Sequence, residues 1–171
     1  MIGFLTGWFR KHPFLFGGAN LVVGLVIGFG VGVYTLPILI AEDGLSETEI
    51  AQITTEAQES GSLRSGTFIK ALAGSDAFHW GEGNIYADGN RVWLDGKVSP
   101  GPDYRLYLTP EFVETEAAFY EIKDQSAEVG AVKAFENFSL DVPDTINPGD
   151  YKAVIVWCER FGEFITAAAL N

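Results

Sequence analysis

From Pro13 to Ala41 no side chain carries a formal charge, and the run "FLFGGANLVVGLVIGFGVGVYTLPILI" is apolar almost throughout. Nothing else in the chain restricts its folding so strongly. About 20 such residues cross a bilayer as a helix, because in lipid a lone segment must satisfy its own backbone polar groups. The run is too long for a signal-peptide core of roughly 7–15 residues. "LPILIAED" also places bulky Ile40 between Leu39 and Ala41, where a signal peptidase wants small residues. A retained transmembrane helix over residues 13–41 is therefore expected, with Pro37 bending or ending it.

The flanks set the direction. Arg10 and Lys11 precede the span and Glu42 and Asp43 follow it. Excess Lys and Arg stay on the cytoplasmic side, so residues 1–12 read as cytoplasmic and 42–171 as periplasmic or extracellular, on a bacterial inner membrane. Trp8 and Phe9 stand where an interfacial aromatic anchor belongs. Gly24, Gly28 and Gly32 recur every four residues along one helical face. That spacing allows a second helix to approach closely, which fits a homodimer or a place among the helices of a larger membrane complex. Glycine is also simply commoner in membrane helices than in soluble ones.

With 171 residues there is room for one modest domain beyond the span. The outer part holds all 23 acidic residues and nine of the 11 basic ones, and nine minus 23 is −14. Such a surface repels nucleic acid and would steer a basic extracytoplasmic protein toward itself; solubility alone also accounts for it. "GLSETEIAQITTEAQES" opens with Ser46 and Glu49 in capping-box spacing and has a weak apolar stripe, which reads as a polar stalk helix. Ser60–Gly66 breaks it, so residues 42–65 are expected to be stalk and linker and 66–171 the folded domain.

Beyond Gly66 short β-like runs alternate with turn residues, the pattern of an all-β sandwich or barrel. "TFIKAL" is the first. "NIYADGNRVWLDG" reads as a hairpin turning at Asp88-Gly89-Asn90. "DYRLYL", "GAVKAF", "NFSLDV", "YKAVIVWC" and "FITAAAL" follow, while "FVETEAAFYEIKDQSAEVG" is ambiguous between strand and helix. Thirteen phenylalanines and four tryptophans supply bulk for a two-layer core.

The polar inventory excludes much chemistry. The outer part has one histidine, His79, and the chain has one cysteine, Cys158. A blue-copper centre wants two histidines and a cysteine, a four-thiolate cluster wants four cysteines, and no C-x-x-C-H is present. No G-x-S-x-G elbow accompanies His79, and hydrolytic catalysis finds no support. Asp88, Asn90, Asp141, Asp144 and Asp150 lie in loop-like segments without the spacing of a calcium loop. Cys158 ends the run Val154–Trp157, where a free cysteine is most simply a buried small hydrophobe. Glu159 and Glu163 nearby would raise its pKa, with Arg160 a partial offset. His79, between Phe78 and Trp80, is most simply a packed residue, although a thiol and an imidazole are also the pair from which axial haem ligation is assembled.

Three stretches, "DAFHWGEG", "GPDYRLYL" and "VWCERFGEFITAAAL", resemble successive blocks of the DM-thirteen domain family, which also occurs in Skeletor-type proteins of animals. The likeness covers about residues 64–170. It implies a small all-β redox or electron-transfer module, often joined to cytochrome-like domains. It also implies that Cys158 is the redox residue, as a bare thiol or as a ligand to a prosthetic group such as haem, with His79 the further ligand candidate. His79 and Asp103 match motif positions of less defined role. Asp95-Gly96 departs from the asparagine–phenylalanine pair of many members. An interaction subunit of a respiratory or photosynthetic membrane complex, without chemistry of its own, is the alternative.

Overall fold

The computed structural model describes residues 12–171; Trp8, Phe9, Arg10 and Lys11, on which the interfacial anchor and the orientation rest, lie outside the described residues. Two compact units divide the chain at Leu39/Ile40. The first contains helix α1 (Pro13–Leu39), long and apolar enough to cross a membrane. Pro37 lies within its last turn, so the helix runs through the proline rather than stopping at it. Nothing stands within 4 Å of a Cβ added at Gly24, Gly28 or Gly32, so the glycine face is open.

The second unit begins with helix α2 (Glu47–Glu59). Its capping box forms as the sequence predicts: Ser46 Oγ accepts from Glu49 N, and Glu49 Oε2 accepts from Ser46 N at 2.9 Å. Eight strands follow: β1 (Arg64–Phe68), β2 (Gly81–Ala87), β3 (Arg91–Val98), β4 (Tyr104–Thr109), β5 (Ala127–Val132), β6 (Ser139–Asp141), β7 (Ala153–Cys158) and β8 (Glu163–Ala169). They make two antiparallel four-stranded sheets, ordered β1-β2-β3-β6 and β5-β4-β7-β8. The fold is the expected all-β sandwich. The ambiguous segment supplies a short helix, α3 (Glu116–Ile122), whose first turn is capped by Thr115.

Side chains alternate between faces along each strand, and here both faces of both sheets are used. Ile85, Leu94, Leu106, Val154, Val156 and Ile165 meet in the core between the sheets. On the outer face of the second sheet, Tyr107, Ile155, Trp157 and Phe164 pack with Phe119 and Ile122 of α3. This double use is why β7 reads as an unbroken apolar run: all six of its residues are buried.

The 42–65 reading needs correction. The segment is not a free stalk, because α2 packs on the outer face of the first sheet. Ile50 and Ala57 bury themselves beside Trp93, whose Nε1 donates to Thr54 Oγ1 at 3.0 Å, and Tyr86 stacks on Trp93 at 5.6 Å. A fully buried indole needs both a cover and an acceptor, and the weak stripe of α2 supplies them. The first strand also starts earlier than "TFIKAL", at Arg64, whose guanidinium donates to the carbonyls of Pro148, Tyr151 and Leu170.

The hairpin turns where expected. Asp88 Oδ1 accepts from Asn90 N at 2.7 Å and Arg91 N at 2.8 Å. The departure at Asp95-Gly96 has a local cause. Gly96 pairs with Gly83 across β2 and β3, at φ 155° and 115°, where a Cβ on either would strike the opposite backbone. Gly96 N also donates to Asn137 Oδ1 at 3.0 Å.

Candidate functional site

Alternation along β7 sends neighbouring residues to opposite faces, Cys158 toward the inter-sheet core and Trp157 toward α3. The thiol is 2% exposed and its Sγ donates to Pro102 O at 3.0 Å. That acceptor belongs to the "GPD" turn before β4. Asp103 takes the left-handed conformation there, at φ 55°, which aspartate tolerates better than most residues. Its backbone oxygen accepts from Glu159 N at 3.0 Å, and its carboxylate accepts from Arg105 at 3.0 and 3.1 Å. Asp103 thus clasps the end of β7 and shapes the thiol's surroundings. Burial pushes the Cys158 thiol up; backbone N–H groups of Phe161 and Arg160 oppose that, while the Asp103 and Glu163 charges add to it. A thiol so placed is a poor nucleophile for exchange reactions.

Glu159 was expected to act on the thiol and instead turns to the other face. There Lys123 Nζ lies 2.7 Å from Glu159 Oε1 and 2.9 Å from Oε2. Tyr107 Oη donates to Glu159 Oε1, and it lies 3.3 Å from Glu128 Oε2, a second acceptor. Arg105 Nη1 reaches Glu128 at 3.1 Å. The Lys123 ammonium stands 5.5 Å from the Trp157 ring, 5.6 Å from Tyr107 and 6.0 Å from Phe119. Burial would raise the Glu159 carboxyl, but its bonds from Lys123 and Tyr107 outweigh that and hold it below the usual carboxylate range. Burial and the Glu159 bond raise Tyr107 far above an ordinary phenol, so its O–H stays protonated. Sequence reasoning missed this cluster. Its members come from β4, β5, the end of β7, α3 and the turn after α3, and only the sheet register brings them together.

His79 belongs to a self-contained turn. Asp76 Oδ1 accepts from Phe78 N at 2.7 Å and His79 N at 2.8 Å, while His79 Nδ1 pairs with Asp76 Oδ2 at 3.1 Å. The structure gives His79 and Cys158 separate surroundings, one in a half-buried turn and one in the inter-sheet core. The haem expectation can be tested on that placement. The Cys158 sulfur is enclosed by packed side chains with its S–H donating to Pro102 O, and neither it nor His79 lines any of the clefts at β1/β8, at α2 or at Glu42–Leu45. The pair does not fit a haem, and no step here runs through one. Among the described residues, no three His, Cys, Asp or Glu side chains gather as a metal site would require.

The architecture and the lone enclosed thiol define a small antiparallel β-sandwich module preceded by an apolar helix. The chain belongs to the electron-transfer DM13 domain family, which it matches over residues 72–170. That stretch begins after β1 and carries His79, Asp103, Tyr107 and Cys158. No curated protein and no solved structure matches the chain significantly.

Proposed function

We propose that this protein is a membrane-tethered, extracytoplasmic electron-transfer module whose redox element is the end of β7 with Cys158. The single observation that carries the reading is the position of the chain's one thiol: inside the family-matched stretch, clasped by the "GPD" turn. Its burial and its acidic neighbours favour an outer-sphere electron site over a nucleophile. Tethering rests on α1, and orientation on Arg10 and Lys11 before it against Glu42 and Asp43 after it. The test is electron exchange between the purified full-length protein and a soluble one-electron mediator, compared in wild type and Cys158→Ala. Loss of exchange in the variant is the expected result, and unchanged exchange removes Cys158 from the role. Protease added to spheroplasts should digest the carboxy-terminal domain; digestion only in inside-out vesicles would reverse the orientation.

A second reading has its own observation. The open face at Gly24, Gly28 and Gly32 suits packing against another membrane helix, as an interaction subunit or a homodimer would require. Gly28→Leu should then weaken co-purification with a partner or dimer formation in detergent. Unaltered association counts against it.

A further inference from the structure

The geometry points to Tyr107 as a one-electron, one-proton redox site, with Glu159 as the acceptor of its proton. The inference rests on the electron-transfer reading above and adds to Cys158 a second redox residue on the opposite face of the same sheet. It starts from a difference between the two residues. Oxidising a thiol by one electron releases its proton, and the proton there faces a backbone carbonyl, Pro102 O, which does not hold one at ordinary pH. Tyr107 faces a carboxylate. The phenol is 6% exposed, its O–H already points at Glu159 Oε1, and Glu128 provides a second acceptor.

A path leads outward. The Tyr107 ring meets Phe119 at 5.4 Å, Phe119 meets Trp157 at 4.9 Å, and Trp157 meets Tyr120 at 5.1 Å. Tyr120 is 58% exposed and offers an aromatic edge to a docked electron acceptor. Lys123 decides where the oxidising equivalent rests. Its ammonium lies over the Trp157, Phe119 and Tyr107 rings and disfavours any of them as a cation. Tyr107 escapes that penalty, because its proton already faces a carboxylate and can leave the ring neutral.

The step balances. One electron leaves the Tyr107 phenol for a one-electron acceptor, an oxidised iron or copper carrier by chemical class. The O–H bond breaks and its proton passes to the Glu159 carboxylate. The products are a neutral phenoxyl radical, a carboxylic acid and the reduced acceptor; the reverse transfer restores the phenol and the carboxylate.

The experiment oxidises the full-length protein in detergent with a photogenerated ruthenium(III) polypyridyl complex. Phenoxyl absorbance and electron paramagnetic resonance are the readouts. The expected long-lived phenoxyl signal survives in Tyr120→Phe and in Cys158→Ala, and is lost in Tyr107→Phe. It forms more slowly in Glu159→Gln, which keeps the shape and removes the base. Thermal unfolding of each variant shows that it is folded. An unchanged signal in Tyr107→Phe, a signal lost in Tyr120→Phe alone, or no phenoxyl in the wild type overturns the inference. Failure of the electron-transfer reading is seen separately, in the mediator exchange of wild type and Cys158→Ala.

Discussion

Cys158 and Tyr107 stand on opposite faces of one sheet, on the paired strands β7 and β4, and both are withdrawn from solvent. Around the thiol the packed core side chains are apolar and its proton faces a backbone carbonyl, with the backbone N–H groups of Phe161 and Arg160 and the Asp103 and Glu163 charges close by. Around the phenol there are two carboxylates, one of them also held by a guanidinium, and an ammonium, under a cover of aromatic rings. Equal burial therefore has unequal chemical meaning. An apolar enclosure raises the cost of forming charge and offers nowhere for a proton to go. A charged enclosure can take the proton and leave the oxidised group neutral.

The largest expected effect tests whether the outer face is a true core. Trp157→Ala should lower stability by about 3–5 kcal/mol in urea unfolding, since it removes a fully buried ring beneath α3. A loss much below that would mean the outer cluster is loosely held.

Removing one member of the charged network comes next. Glu159→Gln should cost about 1.5–3 kcal/mol, the usual range for hydrogen bonds to a charged group. Its pH dependence has a defined sign. A carboxyl held low in the folded state stabilises above its unfolded pKa, near 4.5, and that contribution disappears as pH falls through the folded value. The wild type should lose this part of its stability in the acid range below about pH 4.5, while Glu159→Gln should show a flatter acid profile. Identical profiles would take Glu159 out of the account.

A turn connects the two regions. Gly162 sits at φ 69°, where an added Cβ would lie 2.5 Å from Tyr120 Oη. Gly162→Ala should cost about 1–2 kcal/mol and shift Trp157 fluorescence as Tyr120 is displaced. No spectral shift would separate the turn from the ring path.

Cys158→Ser should be the mildest, about 1 kcal/mol, because a hydroxyl can still donate to Pro102 O. In the native protein the thiol should react with a disulfide reagent on the order of tenfold or more slower than after unfolding. Fast native labelling would show an accessible sulfur and weaken the contrast between the two faces.

How much of this was visible in the chain depends on the range of each interaction. The capping box at Ser46 and Glu49, the Asp88 turn and the long apolar helix are written in neighbouring residues, and each forms as read. The docking of α2 was not. A 13-residue helix with a thin apolar stripe reads as a stalk until Trp93 is seen to need Thr54 and Ile50. The charge of Glu159 was assigned to the thiol beside it in sequence, yet strand alternation carries it to the far face.

Local composition alone determined that this chain has an apolar stretch of membrane-spanning length, an acidic β-rich remainder and a single thiol at the end of an apolar run. Hydropathy and period-two alternation act over a few residues, so they can be read one segment at a time. Which polar groups share a face was decided only by tertiary structure. Pairing β4 with β7 and laying α3 over them brought Tyr107, Lys123 and Glu159 together from separations of 16 and 52 residues, a distance no local pattern spans.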